Sequence, residues 1–305
     1  MVFDIDIAGV HKSFGSIKAL DGLSLHVRQG EMLGLIGPDG AGKTTLLRIL
    51  CGLYLADCGV CAIAGKDVKK ETRLVRSFVG YMPQKFSLYP DLTVAENMRF
   101  FADLFKVPAR EREERLQRLF TFSRLGPFAS RRAAALSGGM KQKLALSCTL
   151  IHTPNILLLD EPTTGVDPVS RREFWDILHE LRRQGVTILV TTPYMDEAAK
   201  CDRVAFIHKG KILVVSEPAQ ISALFKKNLV KVRCDRHVLA ARILQQSGMF
   251  ASVQIFGDRL HISSRETVTQ ITAKIKSRLA AAEIKVDDVS PAKASIEDVF
   301  VELLQ

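Results

Sequence analysis

The stretch Gly37-Pro38-Asp39-Gly40-Ala41-Gly42-Lys43-Thr44 fits G-x-x-x-x-G-K-[ST] at every fixed position. Its glycines let backbone N–H groups point inward at phosphate oxygens, Lys43 can reach the β- and γ-phosphates of a nucleotide, and Thr44 can offer a hydroxyl to Mg²⁺. A chance glycine-rich turn would lack the flanks that this motif demands. Here Glu31-Met32-Leu33-Gly34-Leu35-Ile36 reads as a buried strand before the loop, and Thr44 to Cys51 as a helix after it.

A second group of chemically apt residues follows the apolar run Ile156-Leu157-Leu158-Leu159, which ends in Asp160-Glu161-Pro162. A buried parallel strand has this composition, and open α/β sheets place their ligands at the carboxyl ends of such strands. Asp160 would hold Mg²⁺, and Glu161 would face the γ-phosphate and polarise an attacking water. If this were a surface turn carrying two solvated acids, the branched residues before it would have nowhere to be buried. Between loop and acids lies Leu136-Ser137-Gly138-Gly139. Ser137 can donate from its hydroxyl, Gly138 and Gly139 permit close backbone approach, and Met140 to Ile151 reads as a helix whose positive end faces an anion.

Together these motifs resemble the ATPase subunit of an ATP-binding-cassette (ABC) transporter, over residues 1 to about 223. The resemblance implies two cassettes closed head to tail over two ATP molecules, with the Leu-Ser-Gly-Gly segment of one capping the γ-phosphate held by the other. It assigns ATP contacts to Gly37, Pro38, Asp39, Gly40, Ala41, Gly42, Lys43, Thr44 and Thr45, and, from across the dimer, to Ser137, Gly138 and Gly139. It also implies that Phe14 stacks on adenine, that Asp167 crosses the interface, and that Gln84 touches Mg²⁺ and water and signals to a membrane partner. Thr44, Gln84 and Asp160 are then the metal set, and Glu161 with Gln84 the catalytic one. Two positions depart from the family pattern. Met140 replaces the usual Gln after the signature, and Pro193 stands where a His normally contacts the γ-phosphate. Proline offers neither a side-chain donor nor a backbone N–H, and losing one preorganised donor costs about 3 kcal/mol, on the order of 10² to 10³ in rate.

The chain has 305 residues, room for one large domain and one small. With 47% hydrophobic and 25% charged residues it has the composition of a globular protein. No apolar run approaches the roughly 18 residues of a membrane span, and the acidic, alternating start Met1-Val2-Phe3-Asp4-Ile5-Asp6 reads as a strand rather than a signal peptide. The expected setting is the cytoplasm, at the cytoplasmic face of the membrane through partners. Half of the +10 net charge falls between Lys106 and Arg132. Arg112 and Arg115 alternate with Leu116 and Leu119 at helical spacing, so the stretch reads as a solvated helix face with a secondary attraction to anionic lipid. Nucleic acid is not an expected partner, because no basic-aromatic pattern accompanies the charge. Cys58-Gly59-Val60-Cys61 has no second ligand pair to make a zinc site and reads as structural in a reducing compartment.

Beyond residue 223 the pattern changes. Leu229–Cys234, Ser252–Phe256, Arg259–Ser263 and Ile284–Val289 read as strands, with helices over His237–Gln246 and Thr267–Ala282. The order β-α-β-β-α-β is a ferredoxin-like plan, and a last amphipathic helix spans Ser295–Leu304. This ending resembles the C-terminal domain of ATPase subunits in the ABC-2, drug-resistance-type exporter branch. The expected architecture is therefore an α/β P-loop cassette over 1–223, with a helical lid at about 85–140, and a small α+β accessory domain over 224–305. The resemblance implies an ATP-binding and hydrolysing subunit that powers a separate ABC-2 type permease, for export, as a homo- or heterodimer of cassettes. Two alternatives stay open: a weakly hydrolysing regulatory cassette paired with an active one, favoured by Pro193, and a soluble non-transport ABC ATPase. The spacing of Lys43 and Asp160 leaves no room for the long coiled coil of repair-type members, and translation-type members carry two cassettes per chain.

Overall fold

The computed structural model describes residues 3–85 and 88–304, so Met1 and Val2 of the expected first strand lie outside the described residues. The chain divides into two compact units, Met1–Ser216 and Glu217–Gln305. The break comes earlier than residue 223: Pro218–Ile221, with Pro in its first turn, forms a short helix that belongs to the second unit.

Two sheets build the first unit. In the six-stranded one the order is Lys211–Ser216, Arg203–His208, Met32–Ile36, Thr187–Thr192, Ile156–Asp160, Val79–Met82. All neighbours pair in parallel except the Lys211–Ser216 edge. Every residue of Met32–Ile36, Ile156–Asp160 and Thr187–Thr192 is buried, which explains why these strands read as unbroken apolar runs ending in polar residues. Glu31, expected in the first of them, stands outside it. Its carboxylate accepts from the Arg28 N–H and pairs with Arg203, so it closes the turn before the strand. The second sheet is antiparallel, in the order Ile17–Arg28, Phe3–Phe14, Cys58–Ile63, Lys66–Asp67. The helix Lys43–Leu50 contributes Leu46, Leu47 and Leu50 to the core shared by both sheets. Each such side chain stabilises the fold by roughly 1.5–3 kcal/mol.

In the lid region, Thr93 and Glu96 form a capping box that starts the helix Val94–Leu104, and a second helix runs Ala109–Ser123. Its basic face is less solvated than the sequence suggests. Arg112 pairs with Asp103 at 2.6 Å, and Arg115 bonds Glu111 at 2.7 Å and the Ile151 carbonyl at 3.1 Å, while Leu116 is buried.

The second unit holds a four-stranded antiparallel sheet in the order Ser252–Phe256, Arg259–Ser264, Asn228–Cys234, Val286–Ala292. That order and the helices His237–Gln246 and Val268–Ala280 make the ferredoxin-like plan. The last strand starts later than expected because Ile284 leaves the strand pattern to fill the core beneath those helices. Ser295 and Asp298 cap the final helix, Ile296–Leu303, and Asp298 also reaches His261 Nδ1 at 2.8 Å.

Candidate functional site

The loop Gly37–Gly42 joins the strand Met32–Ile36 to the helix Lys43–Leu50. Two of its glycines are required on steric grounds. A Cβ on Gly37 would stand 2.3 Å from the Ile207 carbonyl, and one on Gly42, whose φ is +110°, would stand 2.4 Å from the Ala19 carbonyl. Lys43 Nζ is buried and donates to the carbonyls of Gly37 (2.8 Å) and Pro38 (3.2 Å). Its charge is met by Glu161 Oε1 at 3.2 Å.

Glu161 follows the strand Ile156–Asp160 with φ at +47°, in the left-handed region where a non-glycine residue stores on the order of 1–3 kcal/mol of strain. Thr191 on the adjacent strand fixes this kink, because the Glu161 N–H donates to Thr191 Oγ1 at 2.9 Å and to its carbonyl at 3.2 Å. The turned carboxylate meets Lys43 through one oxygen and accepts from Gln84 Nε2 at 2.8 Å through the other. Two residues far apart in sequence, Lys43 and Gln84, thus converge on one buried carboxylate. Asp160, nearly inaccessible, accepts on Oδ1 from the hydroxyls of Thr44 and Thr191, each at 3.0 Å. Its Oδ2 is buried and has no hydrogen-bond partner. Burial pushes this carboxyl above the ordinary Asp range, against the pull of the two hydroxyls. A hydroxyl, a carboxylate with an unsatisfied oxygen and a nearby amide make a hard-oxygen donor set of the kind Mg²⁺ takes.

Ser137 and Asp167 occupy equivalent places on two other helices. The helix expected from Met140 begins two residues earlier, at Gly138, because Ser137 Oγ accepts the Met140 N–H at 3.3 Å and caps it. Its hydroxyl hydrogen stays available for donation. Asp167 caps Pro168–Arg183 by accepting from Val169 (3.1 Å) and Ser170 (2.9 Å), and the Ser170 N–H holds its carboxyl below the usual range. Ser137, Gly138 and Asp167 are exposed. Among the described residues, no hydrogen bond or ion pair joins them to Lys43, Asp160 or Glu161 in the same chain. Phe14 ends its strand half-exposed, edge-on to Tyr54 at 5.5 Å, with the Lys12 ammonium 5.4 Å from its ring centre. Asp39 and Gly40 sit exposed on the loop, Ala41 is buried under it, and Thr45 is half-buried in the first helical turn.

Pro193 is exposed in the turn after the strand Thr187–Thr192. That turn is held from behind, where the Tyr194 N–H donates to Thr192 Oγ1 at 3.0 Å. The fully buried Glu197 accepts from Thr192 and from Thr163 (2.6 Å) and faces Arg171 at 3.5 Å. Sequence reasoning missed Thr191 and Glu197. Paired threonines ending an apolar strand were the available signal, since a buried hydroxyl needs a partner. Cys61 is buried in the core and its thiol is pushed up to about 12 by desolvation, whereas Cys58 is exposed.

Known proteins resemble this chain in sequence and in fold. A family model described as ABC transporter matches residues 20–164. The chain is 39% identical over 305 residues to the probable multidrug ABC transporter ATP-binding protein YbhF of Escherichia coli (strain K12), covering 98% of this chain and 52% of that protein. It is also 41% identical over 220 residues to the Nod factor export ATP-binding protein I of Paraburkholderia xenovorans, covering 72% of each. The counterpart from Burkholderia lata is 36% identical over 99% of this chain and 97% of its own length. Among solved structures, an ATP-binding subunit of an ABC transporter superposes with a TM-score of 0.67 at 28% identity, over 73% of this chain and 93% of that one. A dimeric bacterial ABC transporter cassette gives 0.64 at 27% identity, over 70% and 98%. The chain belongs to the family of ABC transporter ATP-binding subunits. It spans about half the length (52%) of YbhF.

Proposed function

We propose that the chain is the ATP-hydrolysing subunit of an exporter, working with a separate ABC-2 type membrane permease and a second cassette. The observation that carries this reading is the convergence of Lys43, Gln84 and Glu161 beside the unsatisfied oxygen of Asp160. Lys43 and the N–H groups of residues 37–45 hold the β- and γ-phosphates, and Phe14 stacks on adenine. Thr44 and Asp160, with Gln84 beside them, would hold Mg²⁺, which would supply neutralising charge at the phosphate oxygens. Glu161 orients and deprotonates the attacking water, its carboxylate aimed by the strained backbone at position 161. Ser137, Gly138 and Asp167, exposed and unconnected to this chain's own loop, serve a nucleotide on a second cassette, with the buried Gly139 behind them. A dimeric relative among the solved structures supports that arrangement.

The permease role draws support from the lid. Tyr89 and Phe100 contact at 4.7 Å, and with Leu104 and Phe105 they leave an exposed apolar row on and beside the helix that follows Gln84. A row of this kind suits a docking partner. Among the described residues no helix is long and apolar enough to cross a membrane; in this reading the permease supplies the spans, and the chain acts at its cytoplasmic face. Export is supported by the names of the relatives. Residues 217–305 serve as an accessory domain, outside the nucleotide contacts. Pro193 supports a second reading, a slow or regulatory cassette, because its turn offers no side-chain donor. The test is Glu161→Gln. It should keep ATP binding and lower turnover by on the order of 10² to 10⁴. An unchanged turnover would remove Glu161 as the base.

A further inference from the structure

The two turns that this chain offers to a neighbour are tied to each other. Ser137 caps Gly138–Leu150 and Asp167 caps Pro168–Arg183, and the two helices meet at their first turns. A Cβ on Gly139 would stand 2.3 Å from Ser170 Cβ and 2.4 Å from Ser170 Oγ, so a glycine is needed there for the helices to approach. About one turn further along each helix, the ammonium of Lys143 bonds Glu173 Oε2. Arg124 Nη1, just past the lid helix, stands 3.6 Å from the other Glu173 oxygen. Lys143 is buried, so its charge depends on Glu173. Removing one partner of such a pair leaves an uncompensated charge and loosens the contact that it spans.

We propose that Lys143 and Glu173 are positioning residues for the neighbouring chain's nucleotide. They hold the Ser137 and Asp167 turns as one block, so that both groups meet the opposite phosphate together. This rests on the composite site proposed above. It predicts that a defect in the pair acts across the dimer and spares the loop of the chain that carries it.

The experiment places one substitution in two positions. Lys43→Ala makes a chain with a dead loop and an intact block. In a mixed dimer of this chain with an otherwise wild-type one, the single live site uses the wild-type loop and the block of the Lys43→Ala chain. Glu173→Gln on the Lys43→Ala chain therefore sits opposite the live loop, and on the other chain it sits beside it. Turnover with the substitution opposite should fall at least tenfold below turnover with it beside, with ATP affinity of the live loop equal in both. Equal turnover in the two placements overturns the proposal, since general damage to the fold would act in both.

Two further measurements test the pair apart from the mixed dimers, and the second does not depend on the rate. Lys143→Arg, which preserves the charge pair, should retain most activity while Lys143→Met loses it; equal loss in both overturns the role of the pair. Amide exchange in the isolated Glu173→Gln chain should rise together at residues 138–141 and 169–171 and stay unchanged in the helix Lys43–Leu50. A rise in only one of the two turns means they are not one block. If no mixture hydrolyses ATP, the composite-site reading fails, and the exchange result still decides whether the block exists.

Discussion

The residues that would face this chain's own nucleotide and those that would face a neighbour's are built differently. Lys43, Asp160 and Glu161 are buried, and each is held by partners from other segments of the fold: the loop carbonyls, Thr44, Thr191 and Gln84. Ser137 and Asp167 are exposed, and their side chains accept from N–H groups within their own helices. Buried charges must be paired and aimed in place, because each unmet charge costs several kcal/mol. Exposed caps need only a rigid helix behind them, and water satisfies what remains until a partner arrives. Under the proposed function, the comparison teaches that one half of the site is complete within the chain, while the other half is prepared for a neighbour's surface.

The strongest way to break the buried half is Lys43→Ala. It removes a charge-assisted contact worth about 1.5–3 kcal/mol, so ATP affinity should fall by on the order of 10- to 100-fold in a fluorescence or calorimetric titration. It also strands Glu161, so the nucleotide-free protein should melt lower. Unaltered affinity would separate the loop from the nucleotide. A smaller effect sharpens the comparison at Pro193. Pro193→His restores a side-chain donor at the edge of the buried half and should raise turnover several-fold, within the ceiling of about 10² to 10³ that one donor supplies. A variant that folds, binds ATP and hydrolyses no faster shows that the missing donor does not limit catalysis.

The smallest effect concerns the Asp160 carboxyl. Its folded pKa lies above the unfolded value because burial disfavours the charged form. The folded state therefore binds this proton more tightly, and stability is lost as pH rises from the unfolded value through the folded one. Asp160→Asn should remove that loss and raise the melting temperature of the metal-free chain at pH 7 by on the order of 2 °C. It should also weaken Mg²⁺-dependent ATP binding. A lower melting temperature would mean that the Thr44 and Thr191 bonds outweigh the burial cost.

Much of this was legible before any coordinates. The phosphate loop, the acidic pair and the β-α-β-β-α-β tail follow from residue types at fixed spacing, because local geometry dictates them. What escaped the sequence depends on contacts between distant segments. Nothing around Glu161 announces its left-handed backbone, which Thr191 fixes from a neighbouring strand. The approach of Gln84 to Glu161 and of Gly139 to Ser170 depends on how separate elements pack. Arg112 and Arg115 read as solvated because helical periodicity locates a face and cannot say that Asp103 and the Ile151 carbonyl wait there. The domain boundary lies before residue 223 for a similar reason, since Pro218 starts a short helix that groups with the second unit.

The central claim is that each nucleotide site needs the buried half of one chain and the exposed half of another. Complementation tests it most directly. Lys43→Ala destroys the buried half of one chain, and Ser137→Arg blocks the exposed half of a second. Each variant alone should be inactive in single-turnover ATP hydrolysis. Mixed in equal amounts, they should regain roughly a quarter of the wild-type rate, because about half of the dimers then hold one complete site. A mixture as inactive as its components, in dimers shown to have exchanged chains, would contradict the account.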